Sequence, residues 1–402
     1  MYATTDFVLL LLDGFSPTYL KYTGFLRKLA LEGEQGVIRP LFAFRGIGAT
    51  IFTGLSPLRH GVWTDYRLKK EVLERRCREP LVSKLLRPLD LLDILPSDKV
   101  LRFLRHALAS SVLGRKARTD LIPFRLLWAF EPSVRCPLYV PGCLKTPTLF
   151  DILPKLGVPT RVLLRPVIKS DWDLPNVLKG LKDASPGFWY LKIVSTDTMG
   201  HKLGPRSNAM ASFLRRVDKL VKRTVEVLRY SKEDLKLLII SDHGMSPVSR
   251  YVRLLKMIRG MTLKPCRDFL FFIDSTMVRF WPLTDYAERK IETLISKIRE
   301  GYLLSERKLR RLEVPPDKRY GFMVFVLEEG AVFKPCFFHR HERVKGMHGY
   351  AHVQSEEGYP MFIAVGLDSQ LGNELRFTDI FGLIFKELGV RCPPDYNNLR
   401  RI

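Results

Sequence analysis

The six cysteines, Cys77, Cys136, Cys143, Cys266, Cys336 and Cys392, show no CxxC spacing, which excludes a thiolate zinc site and a dithiol redox pair. There is also no run of about 18 uninterrupted apolar residues, the length a membrane-spanning helix needs. The opening "MYATTDFVLLLLDG" lacks a basic lead and a small-residue cleavage site ahead of its apolar run. It therefore reads as a first strand and not as a secretory signal. Scattered cysteines of this kind are expected to be free, buried thiols in a reducing compartment, and cytoplasmic residence is the default expectation. Internal repeats, low-complexity tracts, zinc-finger spacing and an aromatic RNA-binding signature are missing too, so no specific nucleic-acid partner is expected.

Acidic residues are scarce. Lys and Arg number 66 against 42 Asp and Glu, giving a net charge of +24 and a pI near 9.9. That balance suits phosphates, anionic lipid or nucleic acid, and it is equally met by a solvated basic surface. With 402 residues, 46% of them hydrophobic, the chain can bury a large core and is long enough to carry inserted subdomains.

Four apolar runs end in polar residues: "FVLLLLDG" at 7–14, "TRVLLRPV" at 160–167, "FWYLKIVSTD" at 188–197 and "LKLLIISDHG" at 235–244. Continuous Val, Ile and Leu runs of this length are the pattern of parallel strands buried on both faces. Between them, residues 207–230 place Leu214, Val217, Leu220, Val221, Val225 and Leu228 at helical spacing behind a capping Ser207. The core is expected to be α/β.

Two regions break this rhythm. Residues 63–145 are basic and amphipathic, with 14 basic against 7 acidic residues over 61–118, and read as a mainly helical insertion. Residues 248–345 carry a strand, helix, strand pattern suited to a small α+β cap. The core is then expected to comprise 1–62, 146–247 and 346–402.

In open parallel sheets, ligands collect beyond the carboxyl ends of the strands, and several polar groups fall there. Asp13 follows "LLLL". "DTMGH" sets Asp197 and His201 four residues apart, with a glycine expected to let the loop fold back. "SDHGM" offers Asp242 and His243, and "GMHGY" offers His348 between two glycines. Any one of these is an ordinary structural turn. Together, three aspartates and three histidines make two three-ligand sets, whose mixed oxygen and nitrogen donors suit Zn²⁺ or a similar first-row ion such as Mn²⁺.

The ordered series D-G, "TGLSPLRHG", "DTMGHKLGP", "SDHGM", "GMHGY" resembles the alkaline phosphatase superfamily, in its nucleotide pyrophosphatase/phosphodiesterase-like branch. The resemblance covers about half of the chain and leaves both insertions unmatched. It implies a doubly wound sheet with helices on both faces, and two divalent metal ions. One would be held by Asp197, His201 and His348, the other by Asp13, Asp242 and His243. The family also places a Thr or Ser nucleophile at the start of the helix leading into "TGLSPLRHG", and that register falls on Phe44 or Arg45. Neither is a nucleophile. Thr50 and Thr53 lie a turn or more beyond, as packing or turn residues, and His60 reads as structural.

Two functions follow. In the first, the protein is a metal-dependent hydrolase of phosphate esters, most simply of a phosphodiester or pyrophosphate bond, with metal-bound hydroxide in place of the missing alcohol. In the second, it is a non-catalytic binder of a phosphorylated glycan or lipid headgroup. Arg45 serves either, gripping phosphate at a helix start where Gly46 and Gly48 let backbone amides approach. The basic insertion is expected to cap the core, with peripheral contact to an anionic membrane as the alternative.

Overall fold

The computed structural model describes residues 5–75, 122–165, 178, 185–231, 235–339 and 343–392. Strands β1 (Asp6–Leu12), β2 (Glu34–Ile38), β3 (Thr160–Arg165), β4 (Phe188–Ile193) and β5 (Leu235–Ile240) precede the cap strands. Those are β6 (Phe269–Ile273), β7 (Met277–Pro282), β8 (Gly301–Leu303) and β9 (Met323–Leu327), and β10 (Met361–Val365) and β11 (Glu374–Leu375) follow. The main sheet runs β11-β2-β10-β5-β1-β4-β3. The pairs of β1 with β4 and β5, and of β3 with β4, are parallel, whereas β10 is antiparallel to both of its neighbours.

The four apolar runs become β1, β3, β4 and β5. Side chains alternate across a strand, so β1 feeds two cores. Val8, Leu10 and Leu12 pack with α1 (Phe25–Glu32), and Phe7, Leu9 and Leu11 pack on the opposite face with α2 (Arg45–Thr53). The chain continues through α3 (Pro57–His60), α4 (Ser195–Leu203), α5 (Asn208–Ser231), α6 (Asp285–Ile295) and α7 (Phe377–Glu387). Helix α5 joins the face of α1 and α7 that of α2. Helices thus cover both faces of an alkaline-phosphatase-like α/β sheet. Helix α5 buries Leu214, Val217, Leu220, Val221, Val225 and Leu228, and Ser207 Oγ accepts the Met210 amide at its start. The periodicity in the sequence is the cause: apolar side chains three and four residues apart form one stripe.

The cap sheet runs β6-β7-β9-β8, antiparallel throughout, with α6 packed on it. Its core also takes Tyr66, Leu68, Ile122, Leu126 and Phe130, so both described ends of the basic insertion dock on the cap. Residues 76–121, the body of that insertion, lie outside the described residues. At the cap centre Arg279 and Asp274 form an ion pair of 2.9 Å, exposed by 0% and 3%.

One expectation is corrected. Cys136 and Cys143 form a disulfide, because the intervening turn brings their Cα atoms to 5.6 Å. A seven-residue spacing inside an irregular loop carries no sequence signal for this. Cys336 is a free, buried thiol, Cys266 is buried with its Sγ donating to the Arg125 carbonyl at 3.4 Å, Cys392 is free and half-buried, and Cys77 falls outside the described residues.

Candidate metal centre

The crevice at the carboxyl ends of β1, β4 and β5 gathers all six acidic and imidazole groups singled out in the sequence. Asp13 follows β1 directly, and Gly14 turns the chain with φ +69°. A side chain there would meet Asp197 Cα at 3.0 Å and His243 Cε1 at 3.3 Å. Asp242 and His243 follow β5, and His348 comes from the loop after the short strand Gly346–Met347.

Asp197 and His201 do not come from a folded-back loop. They lie one turn apart on α4, where i and i+4 share a face, and His201 Nε2 sits 3.2 Å from Asp197 Oδ1. Gly200 serves close packing instead, with Met245 against it.

Two groups of donor atoms lie within 4.8 Å of one another: Asp197 with His243 and His348, and Asp13 with Asp242 and His243. The first differs from the expected set in that His243 joins it, while His201 stands outside the group although its Nε2 lies 3.2 Å from the same Asp197 oxygen. The His243 and His348 rings are stacked, with centroids 3.5 Å apart. Asp197 Oδ1 faces the Nε2 atoms of His201, His348 and His243 at 3.2, 3.4 and 4.0 Å. That oxygen is buried and accepts no hydrogen bond. A buried carboxylate oxygen ringed by imidazole nitrogens, with none donating to it, is what a divalent cation satisfies. The residues of this group fit a metal.

The remaining ring nitrogens are anchored, His201 Nδ1 by the Gly346 carbonyl and His243 Nδ1 by the Gly244 carbonyl, each at 2.8 Å. Such outer contacts fix ring orientation in metal sites. Burial opposes charge on His243, but Asp242, Asp13 and Asp197 outweigh it and push the ring up to about 10. Burial and the neighbouring His243 hold His348 well below the ordinary imidazole range.

The second group contains a residue that sequence reasoning passed over. Lys192, in β4, places Nζ 2.7 Å from Asp13 Oδ2 and 3.6 Å from Asp242 Oδ2. Burial raises the Asp13 carboxyl, and Lys192 and His243 overcome this to hold it at about 2. Burial and Asp13 together push Asp242 up. The signal was present: Lys192 is the single charged residue in an otherwise apolar strand.

Arg45 is the first residue of α2, half-buried, and its guanidinium makes no hydrogen bond or ion pair among the described residues. The helix start has no side-chain cap. The Gly46 amide is already used, donating to the Trp63 carbonyl at 3.0 Å, so that glycine brings no free amide to a ligand. Phe44 precedes the helix, and its ring rests on Gly349. Thr50 Oγ1 is 3.0 Å from His60 Nε2, and Thr53 Oγ1 donates to the Ala49 carbonyl. Both hydroxyls are committed to packing. His339 stands 5.1 Å from His201, ring to ring, while His106 and His341 lie outside the described residues.

The cap reaches into this centre. Thr276 Oγ1, between β6 and β7, donates to the Gly349 carbonyl at 2.6 Å, and Tyr320 OH donates to the Gly61 carbonyl at 3.0 Å. These two contacts tie the His348 loop and the α3 end to segments that flank the cap strands.

Solved structures share the architecture. Murine ectonucleotide pyrophosphatase/phosphodiesterase 5, in an inactive threonine-to-alanine form in complex with AMP, matches with a TM-score of 0.68 at 16% identity, over 97% of this chain and 96% of that one. The human form of the same protein matches with a TM-score of 0.67, also at 16% identity and over 97% and 96% of the two chains. At this identity the likeness speaks for the fold. Residues 138–351, more than half of the chain and spanning Asp197, His201, Asp242, His243 and His348, match the family described as type I phosphodiesterase / nucleotide pyrophosphatase, and the chain belongs to that family of phosphoric ester hydrolases.

Proposed function

We propose that the protein hydrolyses a phosphodiester or pyrophosphate bond with a divalent ion, zinc for preference and manganese as the substitute, held by Asp197, His348, His243 and His201. The observation that carries this reading is the buried Asp197 Oδ1, bare of hydrogen bonds inside three imidazole nitrogens. Mixed oxygen and nitrogen donors favour zinc over magnesium or calcium. An ion held by these residues would supply Lewis acidity at the phosphoryl group.

The chain's own residues do the rest. Arg45, unpaired among the described residues at an uncapped helix start, binds and orients a phosphoryl group through its guanidinium. Lys192 balances Asp13 and Asp242, so that the carboxylates do not repel an anionic substrate. No hydroxyl stands at the helix start, where Phe44 and Arg45 are placed, so the alcohol of the family pattern is not there to form a covalent phosphoenzyme. The AMP held by the murine neighbour supports a nucleotide as one half of the substrate.

A second reading is favoured by Phe44 itself. Without an alcohol the same pocket retains a phosphorylated glycan or lipid headgroup without cleaving it. The deciding experiment compares bis-p-nitrophenyl phosphate, a nucleotide sugar, p-nitrophenyl phosphate and a sulfate ester, each with Zn²⁺, with Mn²⁺ and after chelation, using His243→Ala as control. Metal-dependent turnover of the diester or the nucleotide sugar above the monoester supports the hydrolase. Metal binding with ligand retention and no turnover of any ester supports the binder.

Peripheral contact of region 63–145 with anionic membrane remains a proposal resting on its charge, tested by liposome cosedimentation at two salt concentrations. For location, the Cys136–Cys143 disulfide weighs against the reducing, cytoplasmic compartment expected from cysteine spacing. Fractionation with thiols blocked at lysis tests it.

A further inference from the structure

We propose that Lys192 is a built-in cation occupying the place of a second divalent ion, so that this protein holds one metal per chain where its family pattern implies two. The inference rests on the metal-dependent reading above and fixes its stoichiometry.

The four carboxylate oxygens of the second group are all engaged. Asp13 Oδ2 and Asp242 Oδ2 face the Lys192 ammonium at 2.7 and 3.6 Å. Asp13 Oδ1 faces His243 Nε2 at 3.4 Å, and Asp242 Oδ1 faces the same atom at 3.7 Å while accepting the Gly14 amide at 3.2 Å. Asp197 Oδ1 is the contrast: among the described residues its partners within 4.0 Å are the imidazoles of His201, His348 and His243, and no lysine or arginine reaches it. One group is waiting for a cation, and the other already has one.

The ammonium is also held in register. Lys192 is paired with Leu11 of β1 on one side and Leu164 of β3 on the other. Alternation along β4 puts its side chain on the face of Phe188 and Tyr190, where α2 packs. A divalent ion bound by Asp13 and Asp242 would share their oxygens with this charge at a separation of a few ångströms, and like charges that close in a poorly solvated site repel strongly. Removing the ammonium leaves Asp13, Asp242 and His243, three ligands of the type and number that hold zinc, with Asp197, His201 and His348 left to hold the first ion.

The test is metal stoichiometry of the full chain, by elemental analysis after equilibration with buffered Zn²⁺ and by calorimetric titration. The wild type is expected to retain one zinc and Lys192→Arg one, whereas Lys192→Met retains two, its second ion at least about 100-fold tighter than any second ion in wild type. Two zinc ions in the wild type overturn the proposal and leave the metal-dependent reading standing. One zinc in a folded Lys192→Met, as judged by near-UV circular dichroism, also overturns it. Should that variant not fold, the wild-type and Lys192→Arg stoichiometries decide. A wild type that retains no zinc fails the underlying reading itself.

Discussion

The Phe44 ring lies directly on Gly349: a Cβ built on that glycine would stand 2.6 Å from Cε1 and 2.8 Å from Cζ. The aromatic residue in the nucleophile register is therefore packed against the loop that carries His348, and the two positions are not independent.

Gly349→Ala should lower both stability and zinc affinity. Its φ of +79° is unfavourable for any side chain, and the clash with Phe44 moves the neighbouring His348. The expected loss is about 1–3 kcal/mol in denaturant unfolding, accompanied by weaker zinc binding. Adding Phe44→Ala should restore part of the zinc affinity while leaving the φ cost. An unchanged affinity in the single variant would show that the loop does not depend on this contact.

Asp197→Asn should abolish metal retention while the fold persists. The amide keeps the shape but loses the charge that three imidazoles and an ion share, and the drop in zinc affinity should exceed about 100-fold. Equilibrium dialysis measures it. Zinc bound as tightly as in wild type would place the ion elsewhere.

Asp274→Asn should be among the most damaging single changes away from the metal centre. It leaves the Arg279 guanidinium, fully buried between the Tyr66 and Tyr320 carbonyls, without its counter-ion. Loss of one partner of a buried pair costs about 3–5 kcal/mol. Asp274→Asn combined with Arg279→Met should recover part of that, because the uncompensated charge is gone. A single variant within 1 kcal/mol of wild type, on the scale of about 1 kcal/mol typical of point mutants, would contradict the account.

His60 should make the protein less stable in mild acid. Burial holds its imidazole at about 4 in the folded state, against an ordinary value of 6.5. A depressed folded pKa means the unfolded chain binds the proton first. Its contribution is complete above pH 6.5 and is lost as pH falls towards 4, by roughly 3 kcal/mol in total. His60→Gln is expected to flatten the stability curve across that window relative to wild type, whatever its effect at neutral pH. An unchanged slope would mean His60 is protonated as easily folded as unfolded.

Much of the architecture was legible because strand and helix periodicities are local. The runs at 7–14, 160–167, 188–197 and 235–244 became β1, β3, β4 and β5, and the stripe on α5 buried as spaced. Short β2 and β10 were not, since "EQGVI" and "MFIAV" are five residues each, too short to separate from other apolar segments. Asp13, Asp242 and His243 were legible as a set because the ends of neighbouring strands in an open sheet share one edge, and Asp197, His201 and His348 were legible from the ordered motifs that carry them. Their partition was not: His243 stacking on His348, Asp197 and His201 on a helix instead of a loop, and the Cys136–Cys143 pair all depend on how loops return.

By itself, the sequence determined which residue types could bind a cation and that the expected alcohol is missing beside Arg45, because identity and order along a chain need no third dimension. Only the tertiary structure decided that Lys192 enters the carboxylate pair and that Phe44 seals against Gly349. Charge neutralisation and steric contact are set by distances between segments far apart in the chain, and no local pattern encodes them.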